Sequence, residues 1–254
     1  MHYPYYSFKV FSYLFSEMTK LITFDITNTI IRVMGSVGQQ YANVAGIYGL
    51  KADASNLDQS FKSAWKKQNA QYPNFGCQQG LSSYKWWTDL VKNCFTEAGY
   101  SGNDRLLTIA NHLYLHFSTC KGWEVFPTSV CATLDEIKRK YPTMKYGVIS
   151  NFDDRLDKIL QFLAIRHYFD FVLPSGLAKV AKPDKKIFHL ALDIASVQPS
   201  EAIHVGDNVT NDYFGARGVG MTALLLCHVG QSVPKEVDES YVIHNLSGIL
   251  NHIK

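Results

Sequence analysis

From Phe126 onward, short apolar runs alternate with segments of helical spacing, and this alternation constrains the fold more than any other feature of the chain. The runs "KYGVIS" (145–150), "DFVLP" (170–174), "AIHVGD" (202–207) and "MTALLL" (221–226) read as buried strands. Between them, Leu156, Ile159, Leu160 and Leu163 mark one helix, and Ile187, Phe188, Ala191 and Leu192 another. Strands separated by helices imply a parallel sheet covered on both faces. An earlier run, "LITFD" (21–25), has the same character and must join that sheet, because one strand is not stable by itself.

Residues from about 38 to 118 show helical stripes and no strand pattern. Leu57, Phe61, Ala64 and Trp65 share one face, with Asp53 or Ser55 as N-cap. Trp86, Trp87, Leu90, Val91, Cys94, Phe95 and Ala98 form a second stripe, starting after Ser82 and Ser83 and stopping at Gly99. Leu106, Ile109, Ala110, Leu113, Tyr114 and Phe117 form a third. The block reads as a helical bundle inserted into an α/β domain, with Trp86 and Trp87 in its core.

A hydrophobic content of 46% in 254 residues is ample for a core. The net charge is only +3, and basic clusters such as Lys138, Arg139 and Lys140 read as solvated helix faces, which argues against a nucleic-acid partner. The five cysteines are widely spaced without a C-x-x-C pair, which suits buried thiols in a reduced, intracellular and most simply cytoplasmic protein; mitochondrial and nuclear placements stay open. The nine histidines show no metal-ligand spacing. Residues 1–17 read as an N-terminal extension, with Met18 as an alternative start; the first twenty residues are too short and polar to span a membrane and lack the form of a secretory signal.

Open parallel sheets place ligand sites at the carboxyl ends of their strands. Asp25 follows "LITF", with Thr27 and Thr29 just beyond; Ser150 and Asn151 follow "YGVI". Lys182 precedes Pro183 in a loop before a helix, and Asp207 follows "AIHVG" with Asn211 and Asp212 close behind. Taken singly, each has an ordinary explanation as a turn, cap or solvated residue. Asp153 and Asp154, after "SNF", read as caps of the next helix. The loop "AQYPNFGCQQG" (70–80) reads equally as a specificity loop facing the site or as a connection within the bundle.

The ordered set "FDITNT", "VISNFD", "KPDKKIF" and "HVGDN", with a helical block between the first and second motifs, resembles the haloacid dehalogenase-like hydrolase superfamily, most of whose members are phosphatases. The resemblance covers nearly the whole chain after residue 20. It implies a Rossmann-like α/β core over residues 18–34 and 122–254, with a C1-type α-helical cap over 35–121. It further implies that Asp25 is a nucleophile forming an aspartyl-phosphate. Mg²⁺ would be held by Asp25, the backbone carbonyl of Thr27, and Asp207. Thr29, Ser150 and Asn151 would bind the substrate phosphate, Lys182 would supply positive charge, and Asn211 and Asp212 would support the lysine or a metal-bound water. The chemistry is coherent, because a carboxylate attacks a phosphoryl group only when cations offset the repulsion. The implied substrate is a small phosphorylated metabolite, with no nucleic-acid or membrane partner; the oligomeric state is left open.

Thr27 departs from the pattern. Family phosphatases usually have an aspartate there, which protonates the leaving oxygen and then activates water. Threonine does neither at neutral pH, and general acid–base catalysis is typically worth about 10²–10⁴-fold. A slow phosphatase is therefore expected. The alternatives are a phosphate- and Mg²⁺-binding or regulatory protein without turnover and, third, a haloacid dehalogenase.

Overall fold

The structure, a computed structural model, describes residues 18–126, 129–228 and 230–254. The expected extension over residues 1–17 lies outside the described residues. Strand β1 (Leu21–Phe24) is followed by β2 (Ile31–Val33) and by four helices, α1 (Val37–Ile47), α2 (Ala54–Gln71), α3 (Ser83–Glu97) and α4 (Asn103–His116). After β3 (Trp123–Val125) come α5 (Val130–Lys140), β4 (Lys145–Ser150), α6 (Leu156–Phe162), β5 (Phe171–Pro174), the single turn α7 (Ser175–Ala178) and α8 (Lys185–Ala195). The chain continues through β6 (Ala202–Gly206), a π-helical turn (Val209–Phe214), α9 (Gly215–Arg217), β7 (Thr222–Leu226) and β8 (Val242–Ile243).

Six strands form one parallel sheet in the order β5-β4-β1-β6-β7-β8. All four residues of β1 are buried, since successive side chains point into different layers. Ile22 and Phe24 join a cluster with Leu134, Ile137, Leu156 and Ile159 from α5 and α6. Leu21 joins Ile187, Phe188 and Ala191 of α8 on the other side. Both faces are thus helix-covered, which is why the strands read as continuous apolar runs. The five expected strands begin and end within one residue of the observed ones.

The inserted helices form their own apolar cluster, centred on Tyr41, Leu57, Trp86, Phe95 and Ile109. Asp53 caps α2 by accepting from Asn56 N at 2.7 Å, and Ser82 caps α3. Gly99, at φ 89°, supplies the left-handed residue just past α3. Helix α1 buries the short stripe Tyr41, Val44 and Ala45, with Gly38 and Gln40 buried beside it. A Cβ on Gly38 would lie 2.0 Å from Ala54 O, so the two helices meet there without a side chain between them. The chain enters and leaves the cap through β2 and β3, an antiparallel ribbon pairing Ile31 with Val125 and Val33 with Trp123. Gln40 Nε2 donates to Met34 O and Gly122 O, tying both crossings to the first cap helix.

All five cysteines are free thiols. Cys94 and Cys227 are buried as expected; Cys120 is exposed. Among the described residues, no helix is long and apolar enough to cross a membrane.

Candidate active site

β1 lies between β4 and β6, so its carboxyl end brings Asp25 beside Ser150 and Asp207. Asp25 N donates to Val205 O at 2.8 Å, continuing the ladder and fixing the backbone from which the carboxylate projects. Ser150 Oγ donates to Asp25 Oδ1 at 3.1 Å. Lys182 Nζ donates to the same oxygen at 2.7 Å, to Asp212 Oδ1 at 2.6 Å and to Ile149 O at 2.7 Å. An ammonium has three donors, so this buried lysine is fully committed. Asn151 Oδ1 accepts from Lys182 N at 2.8 Å, and its Nδ2 donates to Lys182 O at 2.9 Å. Expected among the substrate-binding residues, Asn151 thus also clamps the loop that delivers the lysine.

Asp212 sits on the π-helical turn, where its Oδ2 accepts from Asn208 N at 3.0 Å. A Cβ on Gly206 would come within 2.2 Å of Asp212 Cγ, so the close approach of this carboxylate requires glycine. His204 Nε2 lies 3.1 Å from Asp212 Oδ1, and its Nδ1 lies 2.8 Å from Thr23 Oγ1. Burial lowers the His204 pKa against the pull of Asp212, so the ring is neutral at pH 7. The network then assigns Nε2–H as donor to Asp212, with Nδ1 accepting from Thr23. Neither Thr23 nor His204 figures among the sequence-predicted site residues. The signal was there, as one polar residue within each of the apolar runs "LITF" and "AIHVG"; the two are cross-strand partners.

Carboxylate oxygens of Asp25, Asp207 and Asp212 lie within 4.8 Å of one another. Burial pushes the Asp25 carboxyl up, against the opposing pull of Lys182. Burial also opposes the charge on Lys182, but Asp212 and Asp25 outweigh it and hold the ammonium above its ordinary value. For Asp212, Lys182 and His204 overcome burial and keep the group ionised far below the usual carboxylate range. Asp207 is pushed up to about 7, first by burial and then by Asp25 and Asp212. The one lysine serves two carboxylates and leaves the third poorly compensated.

Thr29 Oγ1 is buried and has no hydrogen-bond partner among the described residues. Thr27 is half-buried and lines a cavity of about 440 Å³ between cap and core. Asn211, half-buried, lines a wider groove of about 1020 Å³ that also reaches Lys182 and Asn151.

Cap and core touch at two places near this site. Asp153 accepts from Arg155 N, as a helix-capping residue does, and pairs with the Arg155 guanidinium at 2.9 and 2.6 Å. It also accepts from Trp87 Nε1 of the cap at 2.5 Å, so Trp87 is more than cap core. The guanidinium donates to Tyr114 O and lies 4.4 Å from the centre of the Tyr114 ring. In the 70–80 loop, Asn74 Nδ2 donates to Ser175 O at 2.9 Å and Ser175 Oγ donates back to Asn74 Oδ1 at 2.6 Å. Asn74 and Phe75 both have positive φ, and this turn places Phe75 in the wall of both cavities.

A crystal structure described as a 2-haloacid dehalogenase, from Pseudomonas syringae pv. Tomato DC3000, matches the structure with a TM-score of 0.64 and 26% identity over 92% of this chain and 97% of that one. A haloacid dehalogenase-type phosphatase from Thermococcus onnurineus matches at 0.60 with 24% identity, over the same shares. In sequence, haloacid dehalogenase-like hydrolase domain-containing protein 3 from Bos taurus is 39% identical over 234 residues, 91% of this chain and 92% of that protein. The family model for haloacid dehalogenase-like hydrolases matches residues 19–220. With the sheet order, the inserted helices and the aspartate–lysine site in place, these matches show that the chain belongs to the haloacid dehalogenase-like hydrolase family.

Proposed function

We propose that the protein is a slow Mg²⁺-dependent phosphatase of small phosphomonoesters, working through Asp25. The observation that carries this reading is the division of labour on the Asp25 carboxylate. Lys182 and Ser150 both bind Oδ1, which leaves Oδ2 as the attacking oxygen. The three clustered carboxylates and the poorly compensated Asp207 are the donor set a hard divalent cation favours, and the ion would relieve their repulsion. Asp25, Asp207 and the backbone carbonyl of Thr27 would hold it. When bound, it supplies the positive charge that lets a carboxylate approach a phosphate dianion.

Asp25 Oδ2 then bonds to phosphorus as the ester P–O bond breaks, and the alcohol oxygen takes its proton from solvent. Ser150 and Lys182 hold the nucleophile's other oxygen, and Lys182 offsets charge as the aspartyl-phosphate forms. The partnerless Thr29 hydroxyl suits a phosphate oxygen. Water completes the cycle by hydrolysing the aspartyl-phosphate. Thr27 offers no proton for the first step and no base for the second, which makes turnover slow.

Phosphate release from an aryl phosphate with Mg²⁺, compared between the parent and Asp25→Asn, tests the reading. Loss of release in the variant is expected, and full activity in Asp25→Asn would sink it. Thr27 also favours a second reading, a phosphate- and Mg²⁺-binding protein without turnover. That reading expects phosphate to bind with Mg²⁺ while no ester is hydrolysed.

A further inference from the structure

The cavity of about 440 Å³ is unusual in its lining. Phe61, Trp65, Phe75, Trp87, Trp123 and Phe152 are among the eight aromatic residues that line it. Of its polar neighbours, Arg155 is already paired with Asp153, the Asn151 amide is engaged with Lys182, and Lys62 is solvent-exposed, which leaves the Tyr41 and Thr27 hydroxyls. Thr27 ties the cavity to the chemistry, being two residues beyond Asp25, and Asn151 does so by following Ser150. The volume is roughly three times that of the apolar ~150 Å³ cavity that accepts one benzene, which leaves room for two or three rings. A polyhydroxylated group placed here would give up more water hydrogen bonds than two hydroxyls and the exposed Lys62 can replace among aromatic walls. A flat ring would instead stack on those walls and lose apolar surface to them.

We infer that this cavity is the leaving-group pocket, and that it selects phosphomonoesters of flat, apolar, aromatic alcohols over sugar phosphates. The inference rests on the phosphatase reading for its substrate class and on the cavity alone for its aromatic preference.

The test uses two primary alkyl esters, so that intrinsic reactivity is matched: naphthalen-1-ylmethyl phosphate and glucose 6-phosphate. With Mg²⁺, we expect kcat/KM to favour the naphthyl ester by about 100-fold or more, the scale of leaving two hydroxyls unpaired. Val37→Phe projects a ring from the half-buried cavity residue at the start of α1. It should cut kcat/KM for the naphthyl ester by about tenfold or more, the usual effect of a misfit in an apolar pocket. Phe61→Ala, which removes wall rather than adding bulk, should weaken it similarly and serves if the first variant does not fold. Calorimetric binding of 1-naphthalenemethanol, the alcohol alone, is measured on the same proteins.

Equal or better turnover of glucose 6-phosphate, or a naphthyl preference untouched by both variants, overturns the inference. If neither ester is turned over, the phosphatase reading fails by itself and the alcohol decides the cavity. Saturable binding that the variants weaken upholds the aromatic pocket, and absence of binding refutes it.

Discussion

Replacing Lys182 with methionine keeps the length of a buried side chain and removes its charge. In the parent, Nζ serves Asp25, Asp212 and the Ile149 carbonyl at 2.6 to 2.7 Å, with the side chain 2% exposed. Without it, two buried carboxylates face each other beside Asp207. Deleting one partner of a buried ion pair costs about 3–5 kcal/mol. The folded protein can escape part of this by protonating a carboxyl. From an ordinary pKa near 4 that costs about 1.4 kcal/mol per pH unit, hence about 4 kcal/mol at pH 7 and about 2 kcal/mol at pH 5.5. The loss should therefore level off at about those values. The sign follows from linkage: a carboxyl whose folded pKa is raised carries no penalty below its unfolded value and a growing one as pH rises toward the folded value. Urea unfolding of parent and variant in EDTA, at the two pH values, reads both quantities. A variant within about 1 kcal/mol of the parent at pH 7, or a deficit equal at both pH values, would refute the argument that this lysine holds the carboxylates together.

Thr27→Asp places a carboxyl where the proton donor is lacking, and phosphate release from an aryl phosphate should rise by about 10²-fold or more; an unchanged or lower rate counts against the assigned cause of slowness. Gly206→Ala forces Asp212 away from Lys182, because the new methyl would lie 2.2 Å from Cγ; a loss of about 1–3 kcal/mol in urea unfolding is expected, and parent-like stability would show that the turn yields freely. The Asp207 pKa is raised to about 7 in the folded protein, so its contribution to stability is present below the ordinary carboxylate pKa and lost as pH rises through about 7. Asp207→Asn should flatten that decline in thermal melts in EDTA between about pH 5 and 8, and a decline of the parent's size would contradict it.

The sheet was legible because a strand covered on both faces has to be apolar along its whole length, as in "LITF" and "TALLL". The cap stripes over α2, α3 and α4 were legible for the corresponding reason, a single buried face with Asp53, Ser82 and Gly99 as end signals. Helix α1 was harder to mark because its stripe of Tyr41, Val44 and Ala45 spans little more than one turn, and the burial of Gly38 beside it depends on how close α2 comes. The ribbon strands β2 and β3 have three residues each, too few for a period, and their pairing spans the whole cap. In the site, Asp25, Ser150, Lys182, Asp207 and Asp212 could be placed by their position at strand ends and before a helix. His204 and Thr23 showed only as one polar residue in each of two apolar runs, a signal that does not announce its partner. The same holds for the Asn151 clamp and the Trp87–Asp153 contact, which join segments far apart in the chain.

The β2–β3 ribbon makes the cap an exchangeable cassette. Val33 and Trp123 are paired across it, so the two ends of the inserted stretch stand one strand spacing apart, about 4.8 Å. That gap is what a two-residue hairpin turn closes. Residues 34–122 could be excised and the core rejoined by such a turn without displacing a sheet strand, and another insert could be grafted at the same two points. Asp25, Ser150, Lys182, Asp207 and Asp212 all lie outside the excised stretch, whereas Phe61, Trp65, Phe75 and Trp87 lie within it. Trp123 and Phe152 stay with the core, but the rest of the cavity's aromatic lining is carried on a separately replaceable length of chain, so an exchanged insert would reshape the cavity while the aspartate–lysine site stays in place.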